Sequence, residues 1–328
     1  VGRNGAGKTT FLEAIGFVGL GRSFSSASSR DIIREGSSAA HIRASVEYKN
    51  TISLDVQVTK SSKGTRITVN GRLARSTSEL ASQIPILLLN SRVADIFTGG
   101  PHARRTLIDR VMFHVKHNYL ALWRDYKQAL MQRNSIIRGS KDRQLARFWT
   151  ERLVRGAEEI DSHRRGVVSM LNHTLEQSAL RHELGDIELI YQSGWTATQP
   201  LLHQLEERWQ KDVELGYTRL GAHRSDVQLC LSKKPASRRL SRGQLKVIGS
   251  ESMLGLAKLI KEKTGLAPVI LVDDLQAELD DVLRDKVVDK IIALGGQKIF
   301  TSITPSSIPE LIGKADKMFH VEQQNTRS

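Results

Sequence analysis

The chain predicts an α/β fold whose two halves are separated in sequence by a long helical insertion, with a small antiparallel sheet in the first half. Three observations carry this expectation. A glycine-rich turn, Gly2-Arg3-Asn4-Gly5-Ala6-Gly7-Lys8-Thr9-Thr10, opens a helix at the start of the chain. Near the other end the apolar run Val269-Ile270-Leu271-Val272 stops at two carboxylates, Asp273-Asp274. Between them the chain is almost free of proline and glycine over long stretches, and its apolar residues recur every three or four positions.

The elements follow in order. Thr9 to Phe17 continues from the turn as a helix, with Phe11, Leu12, Ile15 and Gly16 on one side. From Ala39 to Asn70 the pattern changes to alternation: Ile42, Ala44 and Val46, then Ile52, Leu54 and Val56, then Ile67 and Val69. Breaks at Lys49-Asn50, Ser61-Ser62-Lys63-Gly64 and Asn70-Gly71 read as hairpin connections. Pro85 to Leu89 reads as a buried strand. His102 to Ile137 and Lys141 to Leu184 read as two long antiparallel helices joined at Arg138-Gly139-Ser140, a coiled-coil-like arm. A strand at Ile187–Tyr191 and a helix over Thr198–Leu215 follow. From Asp226 the α/β alternation returns. Strands are expected at Val227–Leu231, Val269–Val272, Lys298–Ser302 and Met318–Val321, and helices at Ser241–Lys263, Asp280–Leu294 and Ser306–Ile312. The expected domains are an N-terminal lobe at 1–101, a helical arm at 102–225 and a C-terminal lobe at 226–328.

The opening turn fits G-x-x-x-x-G-K-[ST] at every position, a phosphate-binding loop. Its glycines let backbone N–H groups turn inward at a helix N-terminus, where the dipole favours an anion. Gly2, Asn4, Gly5, Ala6, Gly7, Lys8, Thr9 and Thr10 are the expected ATP-binding residues, with Lys8 reaching the β- and γ-phosphates and Thr9 placing its hydroxyl on Mg²⁺. A loop of this kind is presented by a preceding strand, to which only Val1 could belong, so the sequence is expected to be truncated at its N-terminus. Asp273 is expected to hold Mg²⁺ and Asp274 to orient or activate the attacking water, as the catalytic carboxylates.

Ser241-Arg242-Gly243-Gln244 opens another helix. Ser241 is a ready helix cap. Arg242 and Gly243 turn that cap into an anion site, through a guanidinium and a close backbone approach. The turn has no evident task in its own nucleotide site and is expected to act in trans, on a nucleotide held by a second copy. Asp280, shortly after Asp273, is placed to reach across such a dimer interface.

Composition narrows the partners. The 328 residues are 39% hydrophobic, enough for a core, and carry 49 Lys plus Arg against 35 Asp plus Glu, a net charge of +14. That balance favours a polyanion such as DNA, and with 5% aromatic residues backbone contact is expected over base stacking. The single cysteine, Cys230, excludes a disulfide framework or cysteine metal cluster, and the scattered histidines suggest no zinc site. No apolar run is long enough to span a bilayer and no signal peptide is visible, so a cytoplasmic location is expected.

Together these segments resemble the RecF family of bacterial recombination ATPases, within the wider class of ABC-type ATPases that includes SMC proteins. The resemblance runs over essentially the whole chain. It rests on Gly2 to Thr10, Leu12-Glu13-Ala14-Ile15, Gly21-Arg22-Ser23-Phe24, Gly99-Gly100-Pro101 with Arg104-Arg105, and Gln132-Arg133-Asn134. It continues through Gly221 with His223-Arg224 and Asp226, Leu240 to Lys246, and Asp273-Asp274 with Glu278-Leu279-Asp280. It implies an ABC-type P-loop ATPase head with a small antiparallel β-subdomain and an inserted helical arm shorter than that of SMC proteins. It also implies ATP-dependent dimerisation on DNA, weak hydrolysis used as a switch, binding at gaps, and cooperation with RecR and RecO in loading RecA.

The chain departs from the pattern in places. Asp274 stands where related ATPases carry Glu. Asn90-Ser91-Arg92-Val93-Ala94-Asp95 replaces a segment that often holds a proline and an acid, and a magnesium-contacting Gln has no counterpart. Thr301-Ser302-Ile303-Thr304 replaces a γ-phosphate-sensing His, and the Thr301 and Ser302 hydroxyls are expected to bond the γ-phosphate or a water in its place. An ABC transporter's ATP-binding subunit is the main rival. It is disfavoured by the long insertion and by Ser-Arg-Gly-Gln in place of Ser-Gly-Gly-Gln. An SMC-like chromosome ATPase is disfavoured by the short arm.

Overall fold

The computed structural model describes residues 1–21, 23–24, 32–48, 52–74, 83–274, 281–307, 309–311 and 313–322. They divide into two compact units: unit 1 comprises 1–94 and 241–328, and unit 2 comprises 95–240.

Unit 1 begins with the glycine-rich turn and helix α1 (Lys8–Leu20), closed by Gly21 in the left-handed region. Strands β1 (Ala39–Tyr48), β2 (Ile52–Ser61), β3 (Gly64–Val69) and β4 (Arg72–Leu73) form an antiparallel sheet in sequence order. Alternation fixes its register: Ala44 pairs with Val56 and Ile42 with Val58, and Val58 and Val56 in turn oppose Ile67 and Val69. These positions line up on one face of the sheet as an apolar surface. The Asn70-Gly71 turn has positive φ at both residues, 50° and 76°, as a two-residue hairpin of right-handed twist requires. The Lys49-Asn50 break lies outside the described residues. Strand β5 (Ile86–Leu89) and a 3₁₀ turn at Ser91–Ala94 complete this part of the unit.

Unit 2 is mainly helical: α2 (Asp95–Thr98), α3 (Pro101–Val115), α4 (Tyr119–Arg138), α5 (Arg143–Glu176) and α6 (Arg181–Leu184), then strand β6 (Ile187–Gln192) and helices α7 (Leu201–Glu207) and α8 (Trp209–Leu215). Strands β7 (Asp226–Leu231) and β8 (Lys234–Pro235) join β6 in an antiparallel sheet of order β6-β7-β8. Helices α4 and α5 pack so closely that a Cβ on Gly156 would lie 3.2 Å from Tyr126 Cβ. Ile136, Ile137, Ala146 and Trp209 form a core where α8 meets the α4–α5 hairpin.

The chain returns to unit 1 with α9 (Arg242–Thr264), β9 (Val269–Asp273), α10 (Asp281–Ala293) and β10 (Lys298–Thr301). Strands β10, β9 and β5 form a parallel sheet in that order. One apolar cluster unites Leu12, Phe17 and Val18 of α1 with Val56, Val58 and Ile67 of the antiparallel sheet and with Ile84, Ile86 and Leu271 around the parallel one. Helix α1 thus packs against both sheets. Gly19 permits that approach, since a Cβ there would sit 2.8 Å from the Ile84 carbonyl oxygen.

Several expected elements change. The first long helix breaks at 116–118 although no proline or glycine dictates it. The break lets Tyr119 fold back, buried, to donate to Asp109 Oδ1 at 2.7 Å and to contact the Phe113 ring. Tertiary burial overrides helix propensity there. Thr198–Leu215 becomes two short helices meeting at Arg208. The Ser306–Ile312 helix is reduced to 3₁₀ turns at Pro305–Ser307 and Pro309–Leu311. Met318–Val321 forms no assigned strand. Instead Val1 N donates to Phe319 O and Val321 N to Val1 O, both at 2.8 Å, a parallel-bridge pattern around residue 320. Residues 226–240, expected with the C-terminal lobe, group with unit 2 because β7 pairs with β6 along its whole length, Asp226 to Leu231 against Gln192 to Ile187.

Candidate nucleotide site

The expected phosphate loop, the carboxylates closing β9 and the residues after β10 converge on one cavity of unit 1. Asn4, Gly5, Gly7, Lys8, Thr9, Thr10, Asp273, Asp274, Thr301, Ser302 and Ile303 line about 230 Å³. Parallel pairing explains the convergence. Strands β9 and β10 run side by side with Thr301 opposite Asp273, so both end at the same edge of the sheet. Gly2 N donates to Ser302 O at 3.2 Å, bringing the loop to that edge.

Within the loop Gly5 and Gly7 take φ of 79° and 103°, which side-chain-bearing residues adopt only at a cost. Gly7 caps α1, and no side chain accepts from the helix's first N–H groups. A helix N-terminus left in this state suits an anion. The Lys8 ammonium folds over the loop, donating to Gly2 O at 2.6 Å and Arg3 O at 2.9 Å. It is thereby held at the mouth of the same N–H cradle. Gly2 and Ala6 shape the loop without lining the cavity; Ala6 N donates to Arg3 O at 3.2 Å.

Thr9 Oγ1 lies 3.0 Å from Asp273 Oδ2, and Thr301 Oγ1 donates to Asp273 Oδ1 at 2.6 Å. Asp273 is therefore oriented from both sides by hydroxyls. Thr301 also accepts from Asp274 N at 3.3 Å. Asp274 turns out of the strand with φ of 50°, a left-handed conformation that Asp tolerates better than most residues, and stays exposed at the cavity. The Ser302 hydroxyl donates to Thr304 O at 2.8 Å. An all-oxygen set of one carboxylate and one hydroxyl, beside this helix N-terminus, is the donor chemistry that Mg²⁺ accepts. Among the described residues no cluster of three or more His, Cys, Asp or Glu could hold a metal by itself.

The Ser-Arg-Gly-Gln turn lies at the N-terminus of α9 as a complete capping box. Ser241 Oγ accepts from Gln244 N at 3.1 Å, and Gln244 Oε1 accepts from Ser241 N at 2.9 Å. Gln244 is thus committed to the cap. Ser241 is exposed and, as an acceptor, keeps its hydroxyl proton to donate; Arg242 is exposed and Gly243 half-buried. Asp280 lies outside the described residues. No Gln follows β5, and the Asn90 side chain caps the local turn by accepting from Arg92 N at 3.1 Å.

Two features escape a reading of residues alone. Glu13, a lone buried carboxylate in the apolar face of α1, accepts from Ser23 Oγ at 2.9 Å and Phe24 N at 3.2 Å, pinning the loop after α1. Its signal is a carboxylate amid Leu12, Ile15 and Phe17. In unit 2, Arg104 grips Asp226, Arg133 bonds Asp212 and Thr218, and His223 meets Tyr126. These motif residues hold unit 2 together from within.

Comparison with known proteins agrees with this geometry. The whole chain, residues 1–328, matches the model of the RecF/RecN/SMC N terminal domain. The DNA replication and repair protein RecF of Vibrio cholerae is 31% identical over 98% of this chain and 90% of its own length. That of Shewanella pealeana is 33% identical with the same coverage. Among solved structures, the recombination mediator protein RecF with ATP superposes with a TM-score of 0.85 at 22% identity, covering 98% of this chain and 88% of that one. The Smc head domain of Pyrococcus furiosus, with an extended coiled coil, gives 0.53 at 17% identity, covering 98% and 86%. The fold is accordingly an α/β ABC-type ATPase head with antiparallel sheet and long helices, and the chain belongs to the RecF family.

Proposed function

We propose that this protein is an ATP-driven, DNA-binding switch of replication and recombinational repair. The observation that carries the reading is the convergence of an uncapped, glycine-rich helix N-terminus with Lys8, Thr9 and Asp273 in one cavity. The likeness to RecF proteins that act in DNA replication and repair, one solved with ATP, supports it.

Gly2, Asn4, Gly5, Ala6, Gly7 and Thr10 wrap the phosphates, and the Lys8 cation leaves its loop carbonyls for β/γ oxygens. Thr9 and Asp273 fit Mg²⁺, which neutralises charge on the transferring phosphoryl group. Thr301 fixes the rotamer of Asp273 and, with Ser302, stands near the γ-phosphate position. Asp274 orients the attacking water. Its short side chain and left-handed backbone are consistent with slow turnover.

Ser241, Arg242 and Gly243 cap the nucleotide of a second copy, with Gln244 shaping that cap and Asp280 at the same interface. ATP then closes a homodimer, closure builds a basic surface, and hydrolysis opens it. The net charge of +14 suits contacts to the DNA backbone. The proposed partners are gapped DNA and RecR, with RecO and RecA downstream, in the cytoplasm. Among the described residues no helix is long and apolar enough to cross a membrane.

The test is equilibrium binding of a fluorescent ATP analogue to wild type and Lys8→Ala, with folding checked by circular dichroism. Loss of binding or turnover in the variant is expected, and unchanged affinity and hydrolysis overturn the assignment. Co-sedimentation with DNA against lipid vesicles, with and without ATP, separates this reading from a transporter subunit.

A further inference from the structure

Unit 2 concentrates positive charge around His223. The nearby carboxylates are fully engaged: Asp109 receives Arg164 through Nε at 2.9 Å and Nη2 at 2.8 Å, and Asp226 receives Arg104 through Nε at 2.8 Å and Nη2 at 3.0 Å. Arg105 donates to the Ser225 carbonyl at 2.6 Å, one residue from Arg224. His223, half-buried and adjacent to Arg224, meets Tyr126 Oη at 2.6 Å, one residue from Lys127, so these contacts gather the three cations in one region of unit 2. Arg224 and Lys127 are exposed and Arg105 is half-buried.

Two of these cations are also held in place. The Arg224 guanidinium rests over the Tyr217 ring at 5.3 Å, and Lys127 Nζ over the Trp123 ring at 5.2 Å. Aromatic rests of this kind limit the rotamers of long side chains before any ligand arrives, which lowers the entropic cost of binding. Clustered like charges raise the energy of the folded state, and an anionic ligand relieves that repulsion.

We propose that Arg224, Lys127 and Arg105 form a phosphodiester-docking patch on unit 2 that takes the backbone of duplex DNA. The proposal rests on the DNA-binding reading above but concerns residues outside the nucleotide cavity. A phosphate backbone fits better than an acidic peptide. Its charges repeat at fixed spacing, and guanidinium forks bind phosphate oxygens bidentately.

The test is fluorescence anisotropy of a labelled duplex oligonucleotide with the full chain over a range of salt. Each lost phosphate contact lowers the slope of log affinity against log salt by about 0.9. Arg224→Gln with Lys127→Gln, both exposed, should lower it by about 2, and adding Arg105→Gln by about 3. ATP affinity should remain that of wild type in both variants, and the unfolding midpoint should be unchanged in the double variant, whose two side chains are exposed. Arg147→Gln and Lys258→Gln, exposed and paired to Glu151 and Glu262, should leave the slope unchanged. A double variant with wild-type affinity and slope overturns the patch alone. A wild-type protein that fails to bind DNA overturns both the patch and the reading beneath it.

Discussion

Replacing Thr301 with valine keeps the side-chain shape and removes one hydroxyl. That hydroxyl is buried, donates to Asp273 Oδ1 at 2.6 Å and accepts from Asp274 N at 3.3 Å. A hydrogen bond to a charged group contributes about 1.5–3 kcal/mol. If that energy holds Asp273 in its working rotamer, its loss slows hydrolysis roughly 10- to 150-fold. Nucleotide affinity should change little, because the glycine loop and Lys8 are untouched. Thr301→Ser keeps the hydroxyl and should retain most of the rate. Single-turnover hydrolysis beside equilibrium nucleotide binding separates the two effects. Wild-type turnover in Thr301→Val, or equal losses in the Val and Ser variants, would refute the positioning role.

Asp274→Asn should bind ATP normally and accumulate the ATP-bound dimer, seen as a mass increase by light scattering; wild-type hydrolysis in that variant moves the water-orienting role elsewhere. Arg133→Met strands the buried Asp212 carboxylate and should cost about 3–5 kcal/mol in chemical denaturation. The double variant Arg133→Met with Asp212→Leu should recover much of it, and a mild single-variant effect would contradict the buried pair. His223 is pushed down to about 4, chiefly by burial. Its Nδ1 lies 2.6 Å from Tyr126 Oη and its Nε2 3.0 Å from Thr218 O, an arrangement suited to the neutral ring with Nε2 protonated. The unfolded chain therefore takes up this proton below about 6.5 while the folded chain does not, so stability falls between about pH 6.5 and 4, by at most 1.4 kcal/mol per pH unit from this group. His223→Gln should flatten that segment of the pH–stability curve, and an unchanged slope would discount it.

The glycine-rich turn and the helix it opens were legible because their signal is local: glycines, a lysine and a threonine at fixed spacing. The β9 carboxylates were legible as an apolar strand ending in acids. Pairing between distant segments was not. Nothing in Thr301 alone announces that its hydroxyl meets Asp273, since that contact depends on the register of β10 against β9. The break before Tyr119 likewise arises from a buried contact with Asp109, invisible to helical periodicity. Val227 to Leu231 read as a strand, which runs from Asp226, but only its pairing with β6 places it in unit 2. Ser241 illustrates a residue with two possible uses. The cap is plain in a serine opening a helix, the reciprocal Gln244 contact appears only in the structure, and action on a second copy depends on assembly.

Shared composite sites are therefore the central claim, and mixing two defective variants tests them most directly. Lys8→Ala disables the loop of its own chain. Ser241→Arg leaves that loop intact, gives up a helix cap at about 1 kcal/mol, and in the proposed dimer would fill the space beside a partner's γ-phosphate. Each variant alone should lack ATP-dependent dimerisation or turnover. In a mixed dimer one composite site carries both defects and the other carries neither, so ATP hydrolysis should partly return on mixing. If the folded variants associate and mixing restores nothing, the shared-site account is contradicted and Ser241 is a helix cap only.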